Sequence, residues 1–340
     1  MGGETASMNT LVTGGGGFLG GAIVRRLRAR GDRVTVLGRG DYPELAELGV
    51  RVLKGDVRDR ATLAKAVEGA DVVFHVAAKT GIVGDFREFW TVNVEGTRHV
   101  VEACRSTGVR HLVHTSSPSV VFGRHALSGV DESESYPPRF LAAYPESKAA
   151  AEHLVLSANG HGLLTTALRP HLIWGPGDPH LIPRVIHRAR AGRLVQIGEG
   201  QNLVDITYVD NAADAHVLAA DELVGRGCCA GRAYFISQGR PVRLWLWIND
   251  LLKRLGIAEV RRRLPFGLAH LVGHVMETAY RLSGRSDEPL MTRFLASQLA
   301  RDHYFSVDAA RRDFGYNPRV STEEGMDRLV KSLQAGSKEG

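Results

Sequence analysis

The stretch Thr13–Gly20 (TGGGGFLG) decides the fold of this chain. It follows a short apolar strand and opens a helix predicted for Gly17–Gly31, which is the setting in which a G-x-x-G-x-x-G turn binds a dinucleotide. Gly14 permits the tight turn, Gly17 lets the backbone approach a pyrophosphate, and Gly20 allows the helix to pack closely on the sheet. The helix N-terminus offers N–H groups and partial positive charge to the phosphates. The competing interpretation is a glycine-rich turn that binds no ligand.

Strand and helix signals alternate from the N-terminal strand to about Gly175. The predicted strands are Thr10–Thr13, Arg33–Leu37, Val50–Lys54, Val72–Val76, Leu112–His114 and Thr165–Leu168. The other predicted helices are Glu44–Leu48, Ala61–Val67, Thr91–Thr107 and Pro145–Ala158. This alternation predicts an α/β protein with a right-handed, Rossmann-type doubly wound parallel sheet. Ligands are then expected at the carboxyl ends of the strands.

The alternation ends after Pro170, where prolines and glycines mark a loop that leaves the sheet. Val204–Val209 and Ala233–Ser237 are predicted to return to it as short strands, and the rest is mostly helical. We therefore expect a dinucleotide-binding domain of residues 8–175 and about 204–237. A smaller, mostly helical substrate lobe would comprise about 176–203 and 238–334, with a flexible leader at 1–7 and a flexible tail at 335–340.

Composition excludes several classes of function. The chain has 340 residues and a formal net charge of +6, without the recognition motif or aromatic-interleaved basic groove of a nucleic-acid-binding protein. No stretch reaches the roughly 18 apolar residues that span a bilayer, and the polar start Met1–Ser7 lacks the apolar core of a signal peptide. Three cysteines form no disulfide framework, and the cysteines and histidines show no metal-ligand spacing. We expect a cytoplasmic protein without a metal.

Gly38 and Arg39 stand where an NAD-specific site usually ends its second strand with an acidic residue. Without that carboxylate, Arg39 can pair with a 2′-phosphate, which favours NADP(H) over NAD(H), although NAD(H) stays possible. Alternatively, Arg39 is a residue of a surface turn. Asp56 and Val57 follow the third strand, where the Asp56 carboxylate can accept a hydrogen bond from the adenine amine or cap its own loop.

Tyr144 and Lys148 are four residues apart, so a helix places them on one face. A neighbouring Lys ammonium, together with the positive charge of the nicotinamide, favours the phenolate, and we expect the two to lower the pKa of Tyr144 from about 10. Tyr144 can then act as general acid for ketone reduction or as general base for alcohol oxidation. Ser117 follows the strand Leu112–His114 and can donate to the substrate oxygen. Ser116 and Ser119 compete for that role.

Two polar residues near these motifs have alternative interpretations. Asn93 begins the helix Thr91–Thr107, where it is either an N-cap-like residue or part of a catalytic relay. His171 follows Arg169-Pro170 and either lines the pocket or is a satisfied polar residue.

The segment Arg261–Gly284 is predicted to be an amphipathic helix. Its apolar residues have helical spacing and are Leu268, Leu271, Val272, Val275, Ala279 and Leu282. This stripe either packs on the substrate lobe or stays exposed at the substrate entrance. In the exposed case it covers that entrance, or it docks on a membrane surface or on a partner enzyme.

The motifs in this order resemble the extended short-chain dehydrogenase/reductase family, from about Asn9 to Leu329. The chain is similar to the 3β-hydroxysteroid dehydrogenase/isomerase branch of this family in three stretches, Ala167–Gly177 (ALRPHLIWGPG), Asp205–Asn211 (DITYVDN) and Ala233–Ser237 (AYFIS). It also resembles the bacterial reductases of 2-alkyl-3-oxoalkanoic acids in Tyr42–Leu45 (YPEL), Pro289–Phe294 (PLMTRF) and Arg311–Tyr316 (RRDFGY).

This resemblance implies roles for particular residues. Ser117, Tyr144 and Lys148 would be catalytic, and Lys148 would also hold the nicotinamide ribose. The remaining implied cofactor contacts are Thr13, Gly14, Gly17, Phe18 and Leu19 at the pyrophosphate, Ala77, Ala78 and Lys79 along the ribose, and Pro170 beside the nicotinamide. Family members usually dimerise through helices that correspond to Thr91–Thr107 and Pro145–Ala158, so a homodimer is expected.

Three functions follow as hypotheses. The first is NADP(H)-dependent reduction of the 3-oxo group of a long-chain 2-alkyl-3-oxoalkanoic acid in hydrocarbon biosynthesis. The second is oxidation of a steroid or sterol 3β-hydroxyl group with NAD(P). Both substrates are large and apolar, and basic residues at the pocket mouth would suit a carboxylate. The third is a non-catalytic dinucleotide sensor, against which the intact Ser117, Tyr144 and Lys148 argue.

Overall fold

The computed structural model describes residues 7–81, 84–123, 125–283 and 289–336, so most of the predicted leader and tail lies outside the described residues. The strands are β1 (Asn9–Thr13), β2 (Arg33–Gly38), β3 (Arg51–Lys54), β4 (Val72–His75), β5 (His111–Thr115), β6 (Leu127–Val130), β7 (Leu164–Pro170), β8 (Ile173–Trp174), β9 (Gln196–Ile197), β10 (Leu203–Val204), β11 (Thr207–Tyr208), β12 (Arg232–Ile236), β13 (Val242–Arg243), β14 (Arg263–Leu264) and β15 (His303–Phe305). The helices are α1 (Phe18–Arg30), α2 (Pro43–Glu47), α3 (Arg60–Val67), α4 (Phe86–Trp90), α5 (Gly96–Thr107), α6 (Ala143–Ser157), α7 (Leu181–Arg190), α8 (Val209–Val224), α9 (Leu244–Arg254), α10 (Phe266–Ser283), α11 (Arg293–Ala300), α12 (Asp308–Phe314) and α13 (Thr322–Gly336).

Seven strands form the central sheet in the order β12-β7-β5-β4-β1-β2-β3, and all neighbouring pairs are parallel. Helices α1 and α8 pack on one face, and α3, α5 and α6 on the other. The predicted doubly wound sheet is therefore confirmed. The strand order reverses between β1 and β4, where Thr13 lies beside His75. Ligands of such sheets bind at this reversal, which the glycine-rich turn after β1 occupies.

One of the two predicted returns to the sheet is correct. Strand β12 pairs with β7, which confirms Ala233–Ser237. The prediction for Val204–Val209 is wrong, because β10 joins a four-stranded sheet with β6, β13 and β15, while β11 pairs with β8. Asp205 between them explains the difference. Its carboxylate accepts from the Phe305 N–H at 2.8 Å and its own N–H donates to the His303 carbonyl, so the segment is bound to β15.

The helix predicted to begin at Thr91 begins earlier, at Phe86. Helix α4 continues through a π-helical turn, Thr91–Glu95, into α5. Single π turns of this kind insert one extra residue and reorient the side chains around it. Asn93 therefore lies inside a continuous helical segment, and the interpretation of Asn93 as an N-cap-like residue is wrong.

Besides the apolar core between the central sheet and helices α3, α5 and α6, two further main cores stabilise the chain. The first lies between the central sheet and helices α1 and α8. The second fills the smaller lobe around Trp174, whose ring packs edge-on against Tyr208 at 5.4 Å and Trp247 at 5.2 Å between centroids. The C-terminal third contributes to both cores, because Phe314 and Tyr316 pack in the first and α9 and α13 in the second.

Helix α10 packs with its leucine-rich face outward. Leu268, Leu271, Val272, Val275 and Leu282 are all exposed, whereas Ala269 and Gly273 on the opposite side are buried. The interpretation in which the stripe packs on the substrate lobe is therefore wrong. None of the described helices, α10 included, has the length and apolar character needed to cross a membrane.

Candidate active site

The glycine-rich turn leaves no room for side chains. Gly14 has a left-handed φ of +72°, and a Cβ there would lie 2.8 Å from backbone atoms of Ala77. A Cβ on Gly20 would lie 2.2 Å from the Gly14 carbonyl oxygen. Helix α1 begins at Phe18 after Gly17, and no side chain caps its N-terminus. These features fit a pyrophosphate, which the open backbone N–H groups of a helix N-terminus bind.

Thr13 is turned into the protein interior. Its hydroxyl lies 2.8 Å from Nδ1 of His75, and the Ala77 N–H donates to it at 3.3 Å. His75 Nε2 is 2.8 Å from the hydroxyl of Thr97, which donates to the Asn93 carbonyl at 2.6 Å. The Thr13 side chain therefore fixes the turn to β4 and α5, and its hydroxyl is already engaged.

The end of β2 is covered by an aromatic ring. Tyr42 lies over Gly16, Gly38 and Gly40, and a Cβ on Gly38 would lie 2.7 Å from Cε2 and 2.8 Å from the hydroxyl oxygen of Tyr42. Tyr42 itself adopts a left-handed φ of +45° as the residue before α2. Arg39 is exposed, and no ion pair of its guanidinium occurs within the described ranges. Tyr42 was not predicted as a site residue, because nothing in its local sequence pattern places it over the glycines.

The remaining predicted cofactor contacts lie along the same edge. Ala77 and Ala78 are partly exposed after β4. The Lys79 ammonium pairs with Glu88 at 2.8 Å. Asp56 is held by Arg58, whose backbone N–H and guanidinium both donate to it at 2.8–2.9 Å. That arrangement is the loop-capping alternative for Asp56, and these hydrogen bonds lower the pKa of its carboxyl. Val57 is buried.

The predicted catalytic residues come together at the carboxyl end of β5. Tyr144 and Lys148 lie one turn apart at the start of α6. Ser117 faces Tyr144 from the loop after β5, near enough to influence the phenol. Ser117 is partly exposed, whereas Ser116 and Ser119 are buried. The geometry therefore favours Ser117 over both competing serines.

Burial dominates the electrostatics of this pair. It raises the pKa of Tyr144, and the Ser117 hydroxyl only partly offsets the rise. The pKa of Lys148 falls to about 8, because burial disfavours the ammonium more than Glu152 stabilises it. The expected lowering of the Tyr144 pKa requires the Lys148 ammonium together with the positive charge of a bound nicotinamide, so it stays a prediction. The Lys148 ammonium donates to the Thr115 carbonyl at 2.6 Å.

A buried ion pair that was not predicted from the sequence lies behind the site. Glu152 lies one turn beyond Lys148 on α6 and pairs with Arg169 of β7 at 2.6 and 2.9 Å. The Tyr136 hydroxyl donates to the same carboxylate at 2.6 Å. Tyr144, Lys148 and Glu152 thus form a row at i, i+4 and i+8, which was the available signal for the third member.

Asn93 connects the loop after β4 to helix α6. Its side-chain oxygen accepts from the Lys79 N–H at 2.7 Å, and its amide donates to the Lys79 carbonyl at 3.0 Å. The same amide donates to the Ser147 hydroxyl at 2.9 Å. Asn93 thereby positions the segment Ala77–Lys79 against the helix that carries Tyr144.

His171 follows Pro170 at the end of β7 and is buried against His303. The two rings share a hydrogen bond of 2.6 Å between Nε2 of His171 and Nδ1 of His303. Burial lowers the pKa of both, for His303 to about 4. The arrangement agrees with the interpretation of His171 as a satisfied polar residue.

A parallel sheet with a glycine-rich turn at its reversal, and a tyrosine–lysine pair facing a serine, defines an extended short-chain dehydrogenase/reductase, a nicotinamide-dependent oxidoreductase. Comparison with known proteins gives the narrower assignment. The model of the 3-beta hydroxysteroid dehydrogenase/isomerase family matches residues 11–266, so the chain belongs to that family.

Similar proteins catalyse related reactions. The 2-alkyl-3-oxoalkanoate reductase of Shewanella oneidensis is 49% identical over 96% of this chain and 86% of the relative. The protein of the same name from Stenotrophomonas maltophilia is 47% identical over 96% of this chain and all of the relative. The decarboxylating sterol-4-alpha-carboxylate 3-dehydrogenase of Mus musculus is 34% identical over 95% of this chain and 90% of the relative.

Solved structures show the same fold with a nicotinamide cofactor. MoeE5 in complex with UDP-glucose and NAD is 25% identical, with a TM-score of 0.74 over 97% of this chain and 99% of the other. DesIV, a dTDP-glucose 4,6-dehydratase from Streptomyces venezuelae with NAD and TYD bound, is 25% identical, with a TM-score of 0.76 over 98% of both chains.

Proposed function

We propose that this protein reduces the 3-oxo group of a long-chain 2-alkyl-3-oxoalkanoic acid to the 3-hydroxy acid, reversibly and with NADP(H), in hydrocarbon biosynthesis. The similarity to two 2-alkyl-3-oxoalkanoate reductases across nearly the whole chain carries this proposal. Because that similarity includes the variable lobe, which determines substrate choice, it supports more than membership of the family.

The proposed chemistry assigns one task to each catalytic residue. The reduced nicotinamide supplies the hydride to the carbonyl carbon when it is bound. Tyr144 donates its proton to the carbonyl oxygen, which suits a partly buried phenol whose pKa is raised. Ser117 donates a hydrogen bond to that oxygen as negative charge develops on it. Lys148 holds positive charge one turn away, which stabilises the phenolate that Tyr144 becomes.

We further propose NADP(H) as the preferred cofactor. Arg39 is exposed at the end of β2 and available to a 2′-phosphate. The alternative acceptor for a ribose 2′-hydroxyl, a carboxylate at position 38, would collide with the ring of Tyr42. The pyrophosphate would lie on Gly14, Gly17 and the first residues of α1.

A second candidate is a sterol dehydrogenase, which the similarity to the Mus musculus enzyme favours. The two candidates share a feature of their substrates. A 2-alkyl-3-oxoalkanoate and a sterol-4-carboxylate both carry the carboxylate on the carbon next to the reacting carbon. We therefore expect this protein to need a carboxylate at that position, whichever apolar body carries it.

A substrate panel tests both proposals. The enzyme is assayed by NADPH absorbance with a 2-alkyl-3-oxoalkanoic acid, the corresponding 3-ketone without the carboxyl group, and, with NADP⁺, a sterol 3β-hydroxy-4-carboxylic acid. Reduction of the first at the highest kcat/KM supports the reductase. Preference for the sterol acid would replace it with the dehydrogenase. Turnover by Tyr144→Phe at the wild-type rate would exclude the assigned mechanism.

A further inference from the structure

A row of large apolar side chains is exposed along α10. Leu268 is 49% exposed, Leu271 and Val275 are each 57% exposed, and Leu282 is 83% exposed, with Val272 between them. Their spacing of three, four and seven residues places them on one side of the helix. Single exposed leucines are normal on protein surfaces, but a contiguous row marks an interaction site. We call these five residues the outer face of α10.

The orientation of α10 is fixed by its inner side. A Cβ on Gly273 would lie 2.6 Å from the backbone of Thr292, so the helix contacts the start of α11 through a glycine. One turn on, Glu277 accepts from the backbone N–H and from the guanidinium of Arg293, each at 2.7 Å. Burying the leucines instead would break this ion pair and the close contact. The contacts of Gly273 and Glu277 with the start of α11 therefore keep the outer face exposed.

Three exposed arginines precede the outer face. Arg261, Arg262 and Arg263 lead into α10, and none forms an ion pair with any described residue. A fourth exposed arginine, Arg193, lies three residues before the start of β9. Strand β9 pairs with β14, the strand that begins at Arg263. Two acidic residues flank these strands in the sequence, Glu259 before β14 and the exposed Glu199 after β9, against the four arginines. The surface beside the outer face thus carries a net positive charge.

We propose that the outer face of α10 and Arg261–Arg263 together dock the protein on an anionic lipid surface. Apolar side chains with cationic residues beside them are the two elements of an interfacial helix, which lies in the membrane plane and inserts its apolar face. The outer face spans roughly 21 Å at 1.5 Å per residue, a length suited to lying on a bilayer.

Docking in this way would bring the proposed active site close to the membrane. Helix α11 separates α10 from the site, and its Phe294 packs 6.4 Å from Phe122, just after the 3₁₀ turn that Ser117 begins. A long-chain substrate that partitions into the bilayer would then be separated from the catalytic residues only by the thickness of α11. The docking itself does not depend on the identity of that substrate.

Flotation with lipid vesicles tests the proposal. The full chain is mixed with vesicles of phosphatidylcholine and phosphatidylglycerol in equal parts, and in parallel with vesicles of phosphatidylcholine alone. We expect flotation with the anionic vesicles, weak flotation with the neutral ones, and release as salt is raised. Flotation that is absent with the anionic vesicles would overturn the proposal.

Matched variants separate the two elements. Leu271→Ser with Val275→Ser should lower vesicle binding by roughly tenfold for each side chain removed. Leu246→Ser with Val224→Ser makes the same chemical change at apolar positions that are 59% and 42% exposed on α9 and α8, and should leave binding unchanged. Equal loss in both double variants would overturn the proposal.

The charge contribution has its own control. Replacing Arg261, Arg262 and Arg263 by glutamine should weaken binding to anionic vesicles by roughly fivefold per arginine. The same change at Arg33, Arg51 and Arg110, which are exposed beside the amino ends of sheet strands, alters the net charge equally and should have little effect. An equal effect of both triple variants would show attraction by net charge alone and would overturn a localised site.

Self-association is the remaining outcome to be distinguished. Light scattering of the wild type and of Leu271→Ser/Val275→Ser shows whether the outer face is buried against a second copy. An assembly that dissociates in this variant, together with no flotation of the wild type, would assign the outer face to a protein interface instead. We expect the same oligomeric state for both proteins, with unchanged circular dichroism.

Discussion

The Lys148 ammonium donates to the Thr115 carbonyl oxygen at 2.6 Å, across the gap between α6 and the end of β5. Glu152, one turn further along α6, is the anionic neighbour that favours the charged form of this lysine. Arg169 and the Tyr136 hydroxyl hold that carboxylate in place. The protonation of Lys148 is therefore set by a buried network behind the site as well as by burial itself.

This network predicts a pH dependence. Burial lowers the pKa of Lys148 to about 8, so kcat/KM for ketone reduction should fall as pH rises through that value and the ammonium loses its proton. Glu152→Gln removes the charge that raises this pKa, and the falling limb should move to lower pH. Glu102→Gln, an exposed change on α5, should leave the limb in place. The measurement is the pH profile of kcat/KM with saturating NADPH.

Glu152→Gln also leaves the Arg169 charge buried without its partner. Loss of one member of a buried ion pair typically costs roughly 3–5 kcal/mol, so the folded fraction has to be established by circular dichroism at each pH. A limb that stays at the wild-type pH in folded Glu152→Gln would contradict control of Lys148 by Glu152. Tyr136→Phe keeps the carboxylate and should keep the limb near its wild-type position.

Removal of the Tyr144 hydroxyl tests the assigned proton donor. Tyr144→Phe should lower kcat by roughly 10²–10⁴-fold, the usual contribution of a positioned acid or base. NADPH affinity should stay close to that of the wild type, because the ring and the Lys148 contact remain. Tyr304→Phe on β15 is the control and should retain full activity. The measurements are single-turnover rates and NADPH fluorescence titrations, and an unchanged rate would refute the assignment.

Two adjacent glycines of α1 should respond in opposite directions to alanine. A Cβ on Gly20 would lie 2.2 Å from the Gly14 carbonyl oxygen, whereas one on Gly21 would meet its nearest atom, on Arg25, at 3.4 Å. Gly20→Ala should therefore destabilise the fold by about 1–3 kcal/mol through overpacking. It should also weaken cofactor binding, because the turn has to shift.

Gly21→Ala is the matched control. It removes a helix-interior glycine where space is available, and it should stabilise the protein by up to about 1 kcal/mol. Urea denaturation measures both changes, and NADPH titration should show loss of affinity for Gly20→Ala alone. Equal destabilisation by both substitutions would mean that the close contact between Gly20 and Gly14 has no energetic consequence.

Features encoded locally were predictable from the sequence. The glycine turn, the pairing of Tyr144 with Lys148 one turn apart, and the βαβ alternation each depend on neighbours within a few residues. The Glu152–Arg169 pair joins a helix to a strand 17 residues away, and the His171–His303 contact spans 132 residues. Contacts of that kind are determined by tertiary packing, which no local pattern specifies.

The amphipathic periodicity of α10 likewise did not determine which side of the helix is buried. The stripe on α10 is present as predicted, but the pattern does not state which side of a helix is buried. Small residues decide it here, because Ala269 and Gly273 allow a closer approach to α11 than leucines would. The π-helical turn at Asn93 was hidden for a similar reason, since no residue type in Thr91–Glu95 is specific for that geometry.

The choice of cofactor should depend on Arg39. Its guanidinium is exposed at the carboxyl end of β2, where a 2′-phosphate would lie. Arg39→Ala should weaken NADPH binding by roughly 10–100-fold, as expected for a lost charge-assisted hydrogen bond, and should change NADH binding little. Arg33→Ala, an exposed arginine at the opposite end of the same strand, should affect neither. Fluorescence titration of both cofactors measures the effect.

Two outcomes would contradict recognition of the phosphate by this side chain. One is wild-type protein that binds NADH as tightly as NADPH, and the other is an equal loss of affinity for both cofactors in Arg39→Ala.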